Sequence, residues 1–132
     1  MSDAGYWKYK GAQQKFDADK HTKRIEHIMT YHGWKKIRDS TPLEDKEEKW
    51  DALWLDKKSE EQKVDYKTGA GVQDSHKKLY DKGALKVTKY AMFNKFNNNV
   101  VNLLCAKAFW EENPTRKVNN HGQVYWVSND KR

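Results

Sequence analysis

Residues 50 to 68 read Trp50-Asp51-Ala52-Leu53-Trp54-Leu55-Asp56-Lys57-Lys58-Ser59-Glu60-Glu61-Gln62-Lys63-Val64-Asp65-Tyr66-Lys67-Thr68. The pattern is two short strands folded back on each other. A turn centred on Lys58 sets Asp51 directly across from Asp65, and Lys67, two residues beyond Asp65, falls on the same face of its strand. Trp50, Ala52 and Trp54 alternate with Asp51, Leu53 and Leu55, while Val64 and Tyr66 alternate with Asp65 and Lys67. The acids therefore lie on apolar-rich strands, expected to be partly buried, where an unpaired carboxylate is costly. Carboxylates opposed in a ladder, roughly 5 Å apart at the backbone, repel unless positive charge lies between them, most economically a divalent metal. The plainer reading is a set of charge pairs on the solvated face of a hairpin in a lysine-rich chain.

Asp17 to His32 carries the clearest helix signal. Asp17 or Asp19 can cap its start, Ile25, Ile28, Met29 and His32 recur at helical spacing, and Gly33 suits a left-handed stop. Trp34 to Arg38 can form the first strand. Residues 39 to 49 read as a polar loop broken by Pro42; its acids Glu44, Asp45, Glu47 and Glu48 lie just ahead of Asp51, where they either reach a metal or, as the plainer reading has it, form a solvated linker. Thr68 to Gly71 reads as a flexible loop, without the Gly-Lys-Ser/Thr ending of a nucleotide-phosphate loop. Ser75 to Lys82 is a short helix ending at Gly83, and Ala84 to Phe93 is strand. Val101, Leu104, Cys105, Ala108 and Phe109 fall at helical spacing, which predicts a helix from Val100 to Glu112, with a buried strand as the alternative. Asn97 to Asn99 is a turn, and Val118, a turn over Asn119 to Gly122, and Val124 to Val127 form a terminal hairpin or last core strand.

The chain has 132 residues, the size of a single domain spanning 1 to 132. Twenty-six Lys and Arg against 19 Asp and Glu give a formal charge of +7, which favours a polyanion such as nucleic acid or simply keeps the protein soluble. Six Trp, seven Tyr and four Phe supply a core and argue against disorder. Cys105 is the only cysteine, so neither an internal disulfide nor a cysteine zinc site can be built, and a buried structural thiol is expected. No signal segment or apolar run of about twenty residues is present, so a soluble, cytoplasmic protein is expected, with no membrane partner. The five histidines lack the tight spacing around a Glu that a zinc protease needs.

With a helix, Gly33-Trp34, a strand, an acid strand carrying Asp51 and a strand carrying Asp65-Tyr66-Lys67, about half the chain resembles the PD-(D/E)XK nuclease superfamily. One departure is Trp50, which stands where many members have Pro before the first acid. The resemblance implies an α/β fold with a restriction-endonuclease-like core: helix, three-stranded β-meander, helix, strand. It implies a nuclease hydrolysing phosphodiester bonds, with DNA the first expectation. Asp51, Asp65 and the carbonyl of Tyr66 would hold Mg2+ or Mn2+, Lys67 would orient the attacking water or stabilise developing charge, and Glu26 would be an accessory acid from the first helix. Otherwise Glu26 pairs with a nearby lysine or faces solvent. Lys35, Lys36, Arg38, Lys77 and Lys78 would hold the phosphate backbone.

Two other classes stay open. One is a non-catalytic nucleic-acid-binding domain; the other is a small protein-binding modulator using exposed aromatics, with Trp7, Tyr9 and Trp110 as candidates. A homodimer pairing two active sites is plausible for a chain this short. Length and charge would suit a phage-encoded factor acting in the host cytoplasm.

Overall fold

The computed structural model describes residues 19–94 and 100–129. Helix α1 is described over 19–31 and is followed by strand β1 (Lys35–Asp39), helix α2 (Pro42–Glu48), and strands β2 (Ala52–Leu55), β3 (Glu61–Thr68) and β4 (Gly71–Gln73). Helix α3 (Asp74–Asp81), strands β5 (Lys89–Asn94) and β6 (Val100–Cys105), helix α4 (Ala106–Glu111) and strands β7 (Thr115–Val118) and β8 (Val124–Val127) complete the order. The result is a small α/β domain with a mixed sheet. No described helix is long and apolar enough to cross a membrane.

The main sheet has the order β1-β2-β3-β5-β6. Strands β1, β2 and β3 form an antiparallel meander, and the chain then crosses over through β4 and α3 so that β5 runs parallel to β3. Such a crossover needs a helix-length connection, which α3 supplies. Strand β5, paired on both sides, is buried from Tyr90 to Phe93. Its side chains alternate between two cores. Ala91 and Phe93 join Ile25 and Met29 of α1 with Ala52, Trp54 and Val64. Tyr90 and Met92 join Trp50, Val72, Phe109 and Trp110 on the other face. Strands β4, β8 and β7 make a second, three-stranded sheet.

Helix α1 stops where expected: Gly33 has φ +92°, and the Gly33 and Trp34 amides donate to Thr30 and Met29 carbonyls at 3.0 Å, a left-handed cap. The proposed Asp17 cap, the Asn97 to Asn99 turn, Trp7 and Tyr9 lie outside the described residues. The β2–β3 register also matches the sequence reading, with Ala52 opposite Val64 and Leu55 opposite Glu61, a turn centred on Lys58. Asp56 fixes that turn by accepting the Lys58 and Glu60 amides at 2.8 and 2.9 Å.

Several expectations need correction. The segment read as a polar loop contains α2, because Thr41 and Glu44 form a reciprocal capping box with Pro42 at the first turn. The helix expected over Val100 to Glu112 is a strand followed by α4. Val101 and Leu103 pack on the α1 side while Leu104 packs on the other core, so both faces of β6 are apolar and the period-2 signal disappears. The strand expected from Ala84 begins only at Lys89. Cys105 is exposed, not buried, because it ends edge strand β6. Trp110 is 3% exposed and belongs to the core, which removes it as a contact for a protein partner. The terminal hairpin forms as β7–β8, in the second sheet.

Candidate active site

Asp51 precedes β2 by one residue, and there the regular ladder gives way. Its amide donates to the Val64 carbonyl at 2.8 Å, and its Oδ2 accepts the Tyr66 amide at 2.7 Å. A side-chain carboxylate thus closes the ladder beside Asp65, and the Asp51 carbonyl is held by the Ser40 amide at 2.8 Å. The two acids come together as the spacing predicted: the Asp51 carboxylate accepts the amide of the residue after Asp65, and both acids line one cleft.

Asp65 is 5% exposed. Lys67 Nζ lies 2.9 Å from Asp65 Oδ2, but off the direction of a good hydrogen bond, so this buried oxygen has no well-aligned donor. Lys67 also donates to Gln73 Oε1 at 3.0 Å, which brackets its ammonium between β3 and the start of α3. Burial pushes the Asp65 carboxyl well above the ordinary aspartate range; Lys67 opposes this and the neighbouring Asp51 adds to it.

On α3, His76 is buried, with Nε2 3.7 Å from Asp65 Oδ2 and Nδ1 3.1 Å from the Tyr90 hydroxyl. Burial, then the charges of Lys67 and Lys49, holds its pKa down to about 3, so the ring is neutral at physiological pH and its contact with Asp65 is no ion pair. An open cleft of about 470 Å³ is lined by Asp45, Lys46 and Lys49 from the α2 region, by Asp51, Asp65, Tyr66 and Lys67, and by Gln73 and His76. The α2 wall is tied to β1 by Arg38, which donates to both Glu44 carboxylate oxygens at 2.7 and 3.0 Å. That fork, followed by the Thr41 amide, lowers the Glu44 pKa to about 2.

Glu26 is not brought into the cleft. Its Oε2 accepts from Lys36 Nζ at 2.7 Å and from the Tyr66 hydroxyl at 2.9 Å, and Tyr66 packs on the α1 side, opposite the face that carries Asp65 and Lys67. The accessory-acid expectation therefore gives way to the lysine pair. Most of the expected phosphate contacts are also neutralised at home: Lys36 by Glu26 and Asp39, Arg38 by Glu44, Lys77 by Asp81 and Lys78 by Asp74. Lys35 is exposed on the edge strand β1, away from the cleft. Sequence reasoning missed Lys46, Lys49, Gln73 and His76. The Thr41-x-x-Glu44 box could have found the helix that presents the first two, whereas nothing in the sequence marked His76.

Among the described residues, no three His, Cys, Asp or Glu side chains gather into a metal cage. Two adjacent carboxylates, one with an unsatisfied buried oxygen, are nonetheless a donor set that suits a hard divalent cation keeping most of its waters. In comparisons with family models, curated proteins and solved structures, nothing matches this chain.

Proposed function

We propose that this chain is a metal-dependent nuclease that hydrolyses phosphodiester bonds, with DNA its first substrate, on a restriction-endonuclease-like core. The observation that carries the reading is the meeting of Asp51 and Asp65 at the open end of β2–β3, with Lys67 on the same face and Asp65 Oδ2 lacking an aligned donor. The succession α1, antiparallel meander, α3 and parallel β5 supports the core assignment.

Asp51, Asp65 and the Tyr66 carbonyl would hold Mg2+ or Mn2+, for which one or two carboxylates suffice. When bound, the cation supplies Lewis-acid polarisation of the scissile phosphate and lowers the pKa of an attacking water. Lys67, held by Asp65 and Gln73, would orient the attacking water or stabilise the negative charge that builds on the phosphoryl oxygens. Lys46 and Lys49 line the cleft with no ion-pair partner among the described residues, so they are free to take phosphates without reading bases. A two-fold dimer would set two such clefts on one duplex, which light scattering with and without DNA tests.

The direct experiment incubates the protein with labelled duplex, single-stranded and branched DNA, and with RNA, in magnesium, manganese or chelator. Cleavage of DNA that needs the metal is expected. Firm, salt-sensitive binding without cleavage of any substrate would favour the non-catalytic reader instead.

A further inference from the structure

Behind Asp65 runs a line of buried polar groups that the cleavage chemistry leaves unused. Trp110 Nε1 donates to the Tyr90 hydroxyl oxygen at 3.1 Å, and the same hydroxyl lies 3.1 Å from His76 Nδ1. On the far side of the imidazole, Nε2 is 3.7 Å from Asp65 Oδ2, the oxygen without an aligned donor. None of the four residues is more than 5% exposed.

Counting protons gives the line a direction. The Trp110 indole N–H can only donate, so the Tyr90 oxygen accepts there and must place its own proton elsewhere. His76 Nδ1 is the acceptor beside it, and any other arrangement leaves a buried hydroxyl proton unpaired. Nδ1 therefore carries the lone pair and the ring proton sits on Nε2, facing Asp65. At 3.7 Å, Nε2 and Oδ2 stand less than about 1 Å beyond hydrogen-bonding distance.

We propose that His76 is a positioning residue for Asp65: its Nε2–H, oriented by Trp110 and Tyr90, is the donor that fixes the carboxylate for a divalent cation. The proposal rests on the metal-binding part of the nuclease reading. Carboxylate ligands are themselves hydrogen-bonded, and removing such an outer partner typically weakens metal binding about 10- to 100-fold. Tyr90 and Trp110 would then act on the metal without approaching it, through the tautomer they impose.

The test measures Mn2+ binding to the full chain by the electron paramagnetic resonance of free Mn2+, with circular dichroism to follow the fold. Variants are His76→Leu, His76→Gln and Tyr90→Phe. His76→Leu and Tyr90→Phe should weaken Mn2+ binding about tenfold or more, while His76→Gln, whose amide nitrogen can stand where Nε2 stands, should recover most of it. Tyr90→Phe removes one oxygen and keeps the ring, so it remains informative if His76→Leu fails to fold. Variants that fold less stably but bind Mn2+ as tightly as the wild type would overturn the proposal and leave the nuclease reading intact. A wild type that binds Mn2+ without cleaving nucleic acid, with the variants behaving as expected, would support the proposal and remove the enzyme. A wild type that binds no Mn2+ overturns both.

Discussion

The Asp51 carboxylate accepts the amide of Tyr66, the residue after Asp65, at 2.7 Å. One hydrogen bond thus ends the β2–β3 ladder and sets one acid beside the other. Ionising both without a cation crowds negative charge at a nearly dry position, which Lys67 beside Asp65 offsets in part.

That crowding has a pH signature. Asp65 has its folded pKa raised, chiefly by burial, so the folded state holds a proton that the unfolded chain releases near the ordinary value of 3.8. Its contribution to stability is complete below that value and is lost as pH rises through the folded pKa. The metal-free wild type should lose thermal stability relative to Asp65→Asn as pH rises from about 4 towards neutrality, and millimolar Mn2+ should restore the wild type alone. Melting curves across pH with and without metal check this. His76, neutral in the fold, titrates with the opposite sign, and the comparison with Asp65→Asn removes the part of its contribution that does not pass through its contact with Asp65.

Lys67 should be coupled to Asp65 in stability. The two side chains are only 12% and 7% exposed, so removing one partner strands the other's charge. Lys67→Met is expected to cost about 3 kcal/mol without metal, and adding Asp65→Asn should return at least about 1 kcal/mol of it. Urea denaturation of both single variants and the double variant measures the coupling; strictly additive losses would contradict it.

Nucleic-acid affinity should depend on the cleft lysines that have no acidic partner among the described residues. Replacing Lys46 and Lys49 with Ala should lower the slope of log affinity against log salt by about 2 for duplex DNA. Replacing Lys36 and Lys78, which already face Glu26, Asp39 and Asp74, should change that slope little. Fluorescence anisotropy over a salt series, in chelator, separates the two pairs.

The second sheet should prove sensitive at Gly71. A Cβ there would stand 2.8 Å from Tyr125 Cδ2 on β8, so Gly71→Ala forces the ring or the strand aside. A loss of about 1–3 kcal/mol is expected. The effect should reach α3, because Trp126 of the same strand donates to Asp74 Oδ1 at 3.0 Å. Hydrogen exchange on the first turn of α3 reads it.

The hairpin was legible because its signals agree: alternation on both strands, a turn held by Asp56, and acids whose spacing fixes the register. Strand β6 was not, since Val101 and Leu103 pack on one core and Leu104 on the other, and a strand with apolar side chains on both faces has no period to read. Helix α2 is hidden in the sequence although Thr41 and Glu44 stand at capping-box spacing, because Pro42 reads equally as a breaker and as a first-turn residue. Asp51, Asp65 and Lys67 could be joined on paper through a local ladder. Gln73 and His76 reach them only through the α3 crossover, and Glu26 is drawn to Lys36 and Tyr66 by packing that spacing along the chain does not encode.

On the proposed reading, Asp65 holds a catalytic cation at a phosphate-facing site. It is tested most directly by comparing wild type and Asp65→Asn for cleavage and for binding of the same labelled DNA in magnesium. The variant is expected to lose cleavage while binding as tightly or more tightly, since a negative charge has left the cleft. Cleavage that survives in Asp65→Asn, with unchanged metal dependence, would contradict it.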